Sequence, residues 1–162
     1  MPDWFVRNVR DAEWWVNEKF GGETFLVPDG SQVGVRVLVL EPGKPSTLYH
    51  RESEQEGFLV VQGECVLIVE GKERPLRAWD YFHCAPNTTH SFVGAGDGPC
   101  VMVTLGLRAE DGTILYACDE TALGRGAGVE RETDTVDEAY APFPKWKPGR
   151  PDRWDELPWA TE

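Results

Sequence analysis

Val33, Val35, Val37 and Val39 stand at alternate positions in the run VGVRVLVL. A period of two puts all four β-branched side chains on one face of an extended strand, whereas a helix would scatter them around its axis. The stretch FLVVQGECVLIVEGKERPL continues in kind, with two β-branched runs parted by Gln62-Gly63 and a second turn at Glu70-Gly71. It predicts a meander of antiparallel strands. The short runs DYFHCA, THSFV, VMVTLGL and TILYAC follow, each bounded by Gly, Pro, Asp or Asn. About eight or more strands are therefore spaced over residues 25 to 118, the pattern of an all-β sandwich, jelly roll or small barrel. No internal repeat is visible.

Helix is scarce. NVRDAEWWVNEKF predicts a short N-terminal helix with Asn8 as its N-cap, Asp11 and Glu13 near its positive end, and Trp14 and Trp15 as packing residues. After Cys118 the chain turns rich in Gly, Pro and acid but keeps Phe143, Trp146, Trp154, Leu157 and Trp159. Free, these side chains would expose a large apolar area. Residues 139–160 are expected to run extended over the barrel, or over a partner subunit in a homodimer. The 162 residues suit a single domain, with a core at about 25–118, an N-terminal extension over 1–24 and a C-terminal tail over 119–162.

Sixteen basic against twenty-eight acidic residues give a net charge of -12. Nucleic acid and anionic membranes would be repelled over most of such a surface. No signal-peptide core is visible and no run approaches the roughly 18 apolar residues of a membrane span, so a cytoplasmic protein is expected. Cys65, Cys84, Cys100 and Cys118 form no CxxC pair, which predicts four free thiols.

In LYHRESEQEGF, His50, Glu52, Glu54 and Glu56 again recur at every second position. A solvated edge strand and a divalent metal site both fit such a face. Taken with WDYFHCAPNTTHSF, the stretch resembles the paired motifs of the cupin superfamily, small β-barrels that often hold one metal ion. Pro42-Gly43 lead in, His50 takes the first histidine place, Glu56 the glutamate place, and Gly63 closes the first motif. Asp80, Pro86 and His90 match the second, with Trp79 where glycine is common and Asn87 or Thr88 at the turn. The resemblance covers roughly residues 33 to 108. Glu52 stands where a second histidine is usual.

The resemblance implies a quartet of His50, Glu52, Glu56 and His90 around one divalent transition metal: zinc, iron, manganese or nickel. Another register, with Leu48 and His50 in the two histidine places, supplies one ligand fewer. An empty barrel is the competing reading. Glu54 is expected on a solvent-facing turn, and His83 is left outside the site. By resemblance, the chain is expected to be a mononuclear metalloenzyme acting on a small molecule, dioxygenase- or isomerase-like. Phe58 and Phe92 are then candidates for the pocket wall. The alternative is a non-catalytic module that binds or senses a small molecule, with or without metal.

Overall fold

The apolar repeat of VGVRVLVL becomes the strand β3 (Val33–Leu40), and both of its faces find partners. Leu38 and Leu40 join Phe58, Val60, Leu67, Phe92 and Met102 in the core between two sheets. Val37 and Val39 face the other way and pack with Trp14, Val101 and Leu157. The computed structural model describes residues 4–160.

β3 lies inside a seven-stranded antiparallel sheet that also contains β1 (Trp15–Asn17), β2 (Gly21–Phe25), β5 (Glu56–Gln62), β8 (Tyr81–Cys84), β10 (Cys100–Leu107) and β12 (Lys147–Pro148). Its order is β12-β1-β2-β3-β10-β5-β8. The facing sheet has the order β11-β4-β9-β6-β7 and is built from β4 (His50–Glu52), β6 (Glu64–Val69), β7 (Lys72–Arg77), β9 (His90–Ala95) and β11 (Ile114–Tyr116). The expected all-β class holds, as a jelly-roll-like sandwich of two sheets and not as a closed barrel.

Topology corrects the expected meander. β5 pairs with β10 and β8, and β6 with β9 and β7, so the two runs flanking Gly63 lie in different sheets. Gly63 adopts φ +75° at a corner where a Cβ would collide with the Pro99 carbonyl. Only glycine turns this corner without strain. The second expected turn is a true hairpin: Glu70 and Gly71, at φ 48° and 74°, join the paired residues Val69 and Lys72. Trp79 and Asn87, the residues at the glycine-type places of the second motif, also take positive φ, 76° and 62°.

The N-terminal helix is cut to one 3-10 turn, Val9–Asp11, with the Asn8 side chain accepting from the Arg10 amide. Beyond it Trp15 is claimed by β1, whose ladder with β2 and β12 outweighs local helix preference. The tail is less extended than its prolines suggest, for it forms two five-residue helices, α1 (Glu120–Gly124) and α2 (Val136–Tyr140), besides β12. It docks on the chain's own sheet. Trp14 meets Trp154 edge-on at 5.5 Å and Trp159 at 5.2 Å, while Phe20 collects Tyr140, Phe143 and Trp146. All four cysteines are free thiols. Among the described residues, no helix is long and apolar enough to cross a membrane.

Docking of the tail makes a measurable demand. Trp14→Ala should cost about 3–5 kcal/mol, the usual cost of emptying a buried aromatic site. A chain ending after Ala139 should melt well below the full-length protein; an unchanged melting temperature by calorimetry would show that the tail contributes nothing.

Candidate metal centre

His50 opens β4 and His90 opens β9, and the two are direct register partners across the ladder. Their rings therefore face one another, with centroids 5.1 Å apart. Glu56 opens β5 in the opposite sheet, in phase with the core residues Phe58 and Val60. It reaches the histidines from across the sandwich. One ligand atom from each of His50, Glu56 and His90 lies within 4.8 Å of the other two.

Backbone carbonyls set both imidazoles. His50 Nδ1 is 2.7 Å from the Leu48 carbonyl oxygen and His90 Nδ1 is 3.0 Å from that of Thr88. A carbonyl can only accept, so each Nδ1 carries the proton and donates. Each Nε2 then presents a lone pair to the site. His50 Nε2 lies 3.4 Å from Glu52 Oε1, and His90 Nε2 lies 3.4 Å from Glu56 Oε2. With both rings neutral and both carboxyls ionised, these are acceptors facing acceptors. Glu56 Oε2 is buried without a hydrogen-bond partner, although His90 stands beside it. Neutral imidazole nitrogens and carboxylate oxygens are the donor set of a divalent transition metal, and a cation removes the cost of burying them unpaired. The residues present fit such an ion.

Burial, aided by the neighbouring Glu52 charge, pushes the Glu56 carboxyl up to about 7. Burial, and then the His50 ring, pushes His90 down to about 4, so it stays neutral and able to ligate. Glu52 behaves oppositely: the His50 ring beside it holds its carboxyl below the usual range. Its side chain is 32% exposed, against 12% for Glu56. Glu52 thus sits on the solvent side, outside the mutually close set of three. The Cys84 thiol is 3.4 Å from His90 Nδ1. Burial and the Glu56 carboxylate push that thiol up to about 12, which keeps it a neutral packing group.

The other expected residues separate. Glu54 lies on the loop between β4 and β5, where its carboxylate accepts from Ser53 Oγ at 2.7 Å. His83 is exposed on β8. Phe58 and Phe92 do not wall a pocket; they are buried beneath His90, at 5.1 and 6.0 Å between ring centroids. The open side of the site is instead a cleft of about 340 Å³ reached by His50 and Glu52, with Arg36, Tyr116, Tyr140 and Trp146 in its lining. Sequence reasoning missed all four. Arg36 carried a signal, since it breaks an apolar strand in the phase of Leu38 and Leu40.

Residues 36–106 match the cupin domain family model. The chain carries a cupin domain. Its strands also superpose on solved cupins. A sugar phosphate isomerase of the cupin superfamily from Silicibacter pomeroyi shares 25% identity over 72% of this chain and 88% of its own, with a TM-score of 0.62. A protein provisionally named a sugar phosphate isomerase, from Acidithiobacillus ferrooxidans, shares 23% over 58% of this chain, with a TM-score of 0.53. This chain spans 64% of that protein's length. The polyketide cyclase of Streptomyces resistomycificus, 15% identical over 64% of this chain and 80% of its own, has a TM-score of 0.54. No curated protein matches the chain. The cupin match ends before α1, so the tail that carries Tyr140 and Trp146 lies outside it.

The raised Glu56 carboxyl fixes the sign of a pH effect. Below about 7 this group holds a proton that a cation must displace, whereas His90, neutral above about 4, imposes no such competition. Metal affinity should therefore climb with pH as Glu56 ionises and level off above about 7. Competition against a chelator at pH 5, 6, 7 and 8 measures this, and Glu56→Gln should both weaken binding and remove that rise.

Proposed function

We propose that this cupin is a mononuclear metalloenzyme of the isomerase or dioxygenase kind, acting on a small molecule held in the cleft beside His50 and Glu52. One observation carries the reading: two buried imidazoles and an orphaned carboxyl oxygen converge within 4.8 Å of one another, and one of the three, His50, also lines an open cleft. A set of three protein ligands leaves positions for substrate, the habit of catalytic and not of structural sites. The likeness to the Silicibacter pomeroyi isomerase supports the isomerase side of the reading.

His50, Glu56 and His90 would hold the ion, and Glu52, expected from the sequence as a fourth ligand, flanks it from the cleft side. A divalent metal would supply Lewis-acid polarisation of a substrate oxygen. The chain's own groups do the remainder. Glu52 Oε1, ionised and reachable from the cleft, is placed to take a proton from a bound molecule. Glu56, buried and titrating near neutrality, can keep or release a proton at Oε2. Phe58, Phe82 and Phe92 pack around the His90 ring and keep water from its inner side.

The test is metal per chain by elemental analysis after stripping and reloading. Wild type should hold one ion, while His50→Ala/His90→Ala should hold none yet keep its β circular dichroism. Glu52→Ala should load more weakly than Glu54→Ala, which should match wild type. Equal loading of wild type and the double histidine variant would overturn the reading. Solvent deuterium entering a substrate beside its carbonyl would mark the isomerase, and oxygen uptake the dioxygenase.

A further inference from the structure

Arg36 is the one basic side chain in the inward phase of β3, and its side chain is only 26% exposed. A single ion pair is formed, with Nη1 donating to Glu23 Oε2 at 3.0 Å. A guanidinium carries five N–H donors, and among the described residues no acceptor engages Nε or Nη2. The guanidinium borders the cleft that holds His50 and Glu52. The guanidinium also lies over the Phe25 ring at 5.8 Å, and its remaining donors are not sealed from solvent, so an oxygen-rich occupant of the cleft could take them up in place of water.

Two further observations point to the same occupant. Lys145 stands exposed on the cleft lining, with no ion-pair partner among the described residues. Opposite the strands, Tyr140 and Trp146 make an aromatic wall that Phe20 fixes from behind, at 5.2 and 6.5 Å between ring centroids. Asn17 pins the same segment by donating from Nδ2 to the Pro144 carbonyl at 2.7 Å. The wall is a built surface, supplied by the tail and not by the cupin-matching residues.

Charge decides when such a site would work. Glu23, Glu52 and Glu56 outnumber Arg36 and Lys145 by one, and a bound divalent ion reverses the balance.

We propose that the cleft takes a small molecule bearing an oxyanion, a carboxylate or a phosphate ester, with the Arg36 fork gripping the anionic group and the Tyr140–Trp146 wall covering the rest. The inference rests on the metal-bearing cleft proposed above and adds its substrate class. A guanidinium fork meets two oxygens of either group side by side. The volume suits a small metabolite. Residues of the C-terminal segment then set specificity.

Calorimetry of the full chain reloaded with manganese, titrated separately with inorganic phosphate and with oxalate, tests this; the two arms tell phosphate from carboxylate. At least one anion should bind wild type. Arg36→Gln should weaken it by about tenfold or more, the worth of a charge-assisted hydrogen bond. Because that variant orphans the buried Glu23, the paired Glu23→Gln/Arg36→Gln variant serves if the single one fails to fold. Lys145→Gln should weaken binding a few-fold, and Lys72→Gln, an exposed residue on β7, should leave it unchanged. Wild-type affinity in the paired variant, or no binding of either anion at millimolar concentration, would overturn the proposal. Manganese content is read on the same samples: failure of wild type to load overturns the metal reading and this proposal with it, whereas full loading without Arg36-dependent anion binding overturns this proposal alone.

Discussion

Two imidazole rings, each fixed by a hydrogen bond from Nδ1 to the carbonyl two residues earlier, turn their unprotonated nitrogens into one buried space. The rest of the site follows from that constraint. With both Nδ1 donors spent on the backbone, the proton that Glu56 can hold is the one donor left between neutral rings and the carboxyls of Glu52 and Glu56. Burial then acts on the groups unequally: the carboxyl deepest in the sandwich is driven toward its neutral form, as is His90, while Glu52 at the cleft keeps its charge. A cation among His50, Glu56 and His90 would meet all three at once, whereas the single proton on Glu56 can bridge it to only one ring.

The fold brings these groups together by two independent means. Within one sheet, the β4–β9 register sets His50 opposite His90. Between sheets, the corner at Gly63 sends the chain from β5 into β6, so that the strand led by Glu56 lies across the sandwich from the histidines. The tail has a structural and a site-building part. Trp154, Leu157 and Trp159 cover the outer face of β3 and β10, and the segment from α2 to Trp146 closes one side of the cleft.

Much of this was legible in the chain. Period two in VGVRVLVL marked β3, and the spacing of His50, Glu56, Gly63 and His90 marked the paired motifs before any coordinates. The positive φ of Trp79 and Asn87 shows that the motif's turns are kept although glycine is absent. What was illegible depended on contacts distant in sequence. Local pattern favoured helix at Trp14 and Trp15, but β1 exists because β2 and β12 flank it. Phe58 and Phe92, expected in the pocket wall, lie in the core, since periodicity gives a face and not its depth. Tyr140 and Trp146 reach the cleft only through the docking of the tail on Phe20, for which no local signal exists. Glu52 was expected as one of four ligands, yet its separation from Glu56 into an ionised outer carboxyl and an inner one that titrates near 7 required the burial of each.

The measurement that tests the account most directly is a crystal structure of the metal-reloaded full chain with data collected on both sides of the metal's absorption edge. The account predicts one anomalous peak, bounded by His50 Nε2, His90 Nε2 and Glu56 Oε2 and open toward the cleft. A loaded crystal with no peak there, or with its peaks only among surface carboxylates such as Glu54, would contradict it.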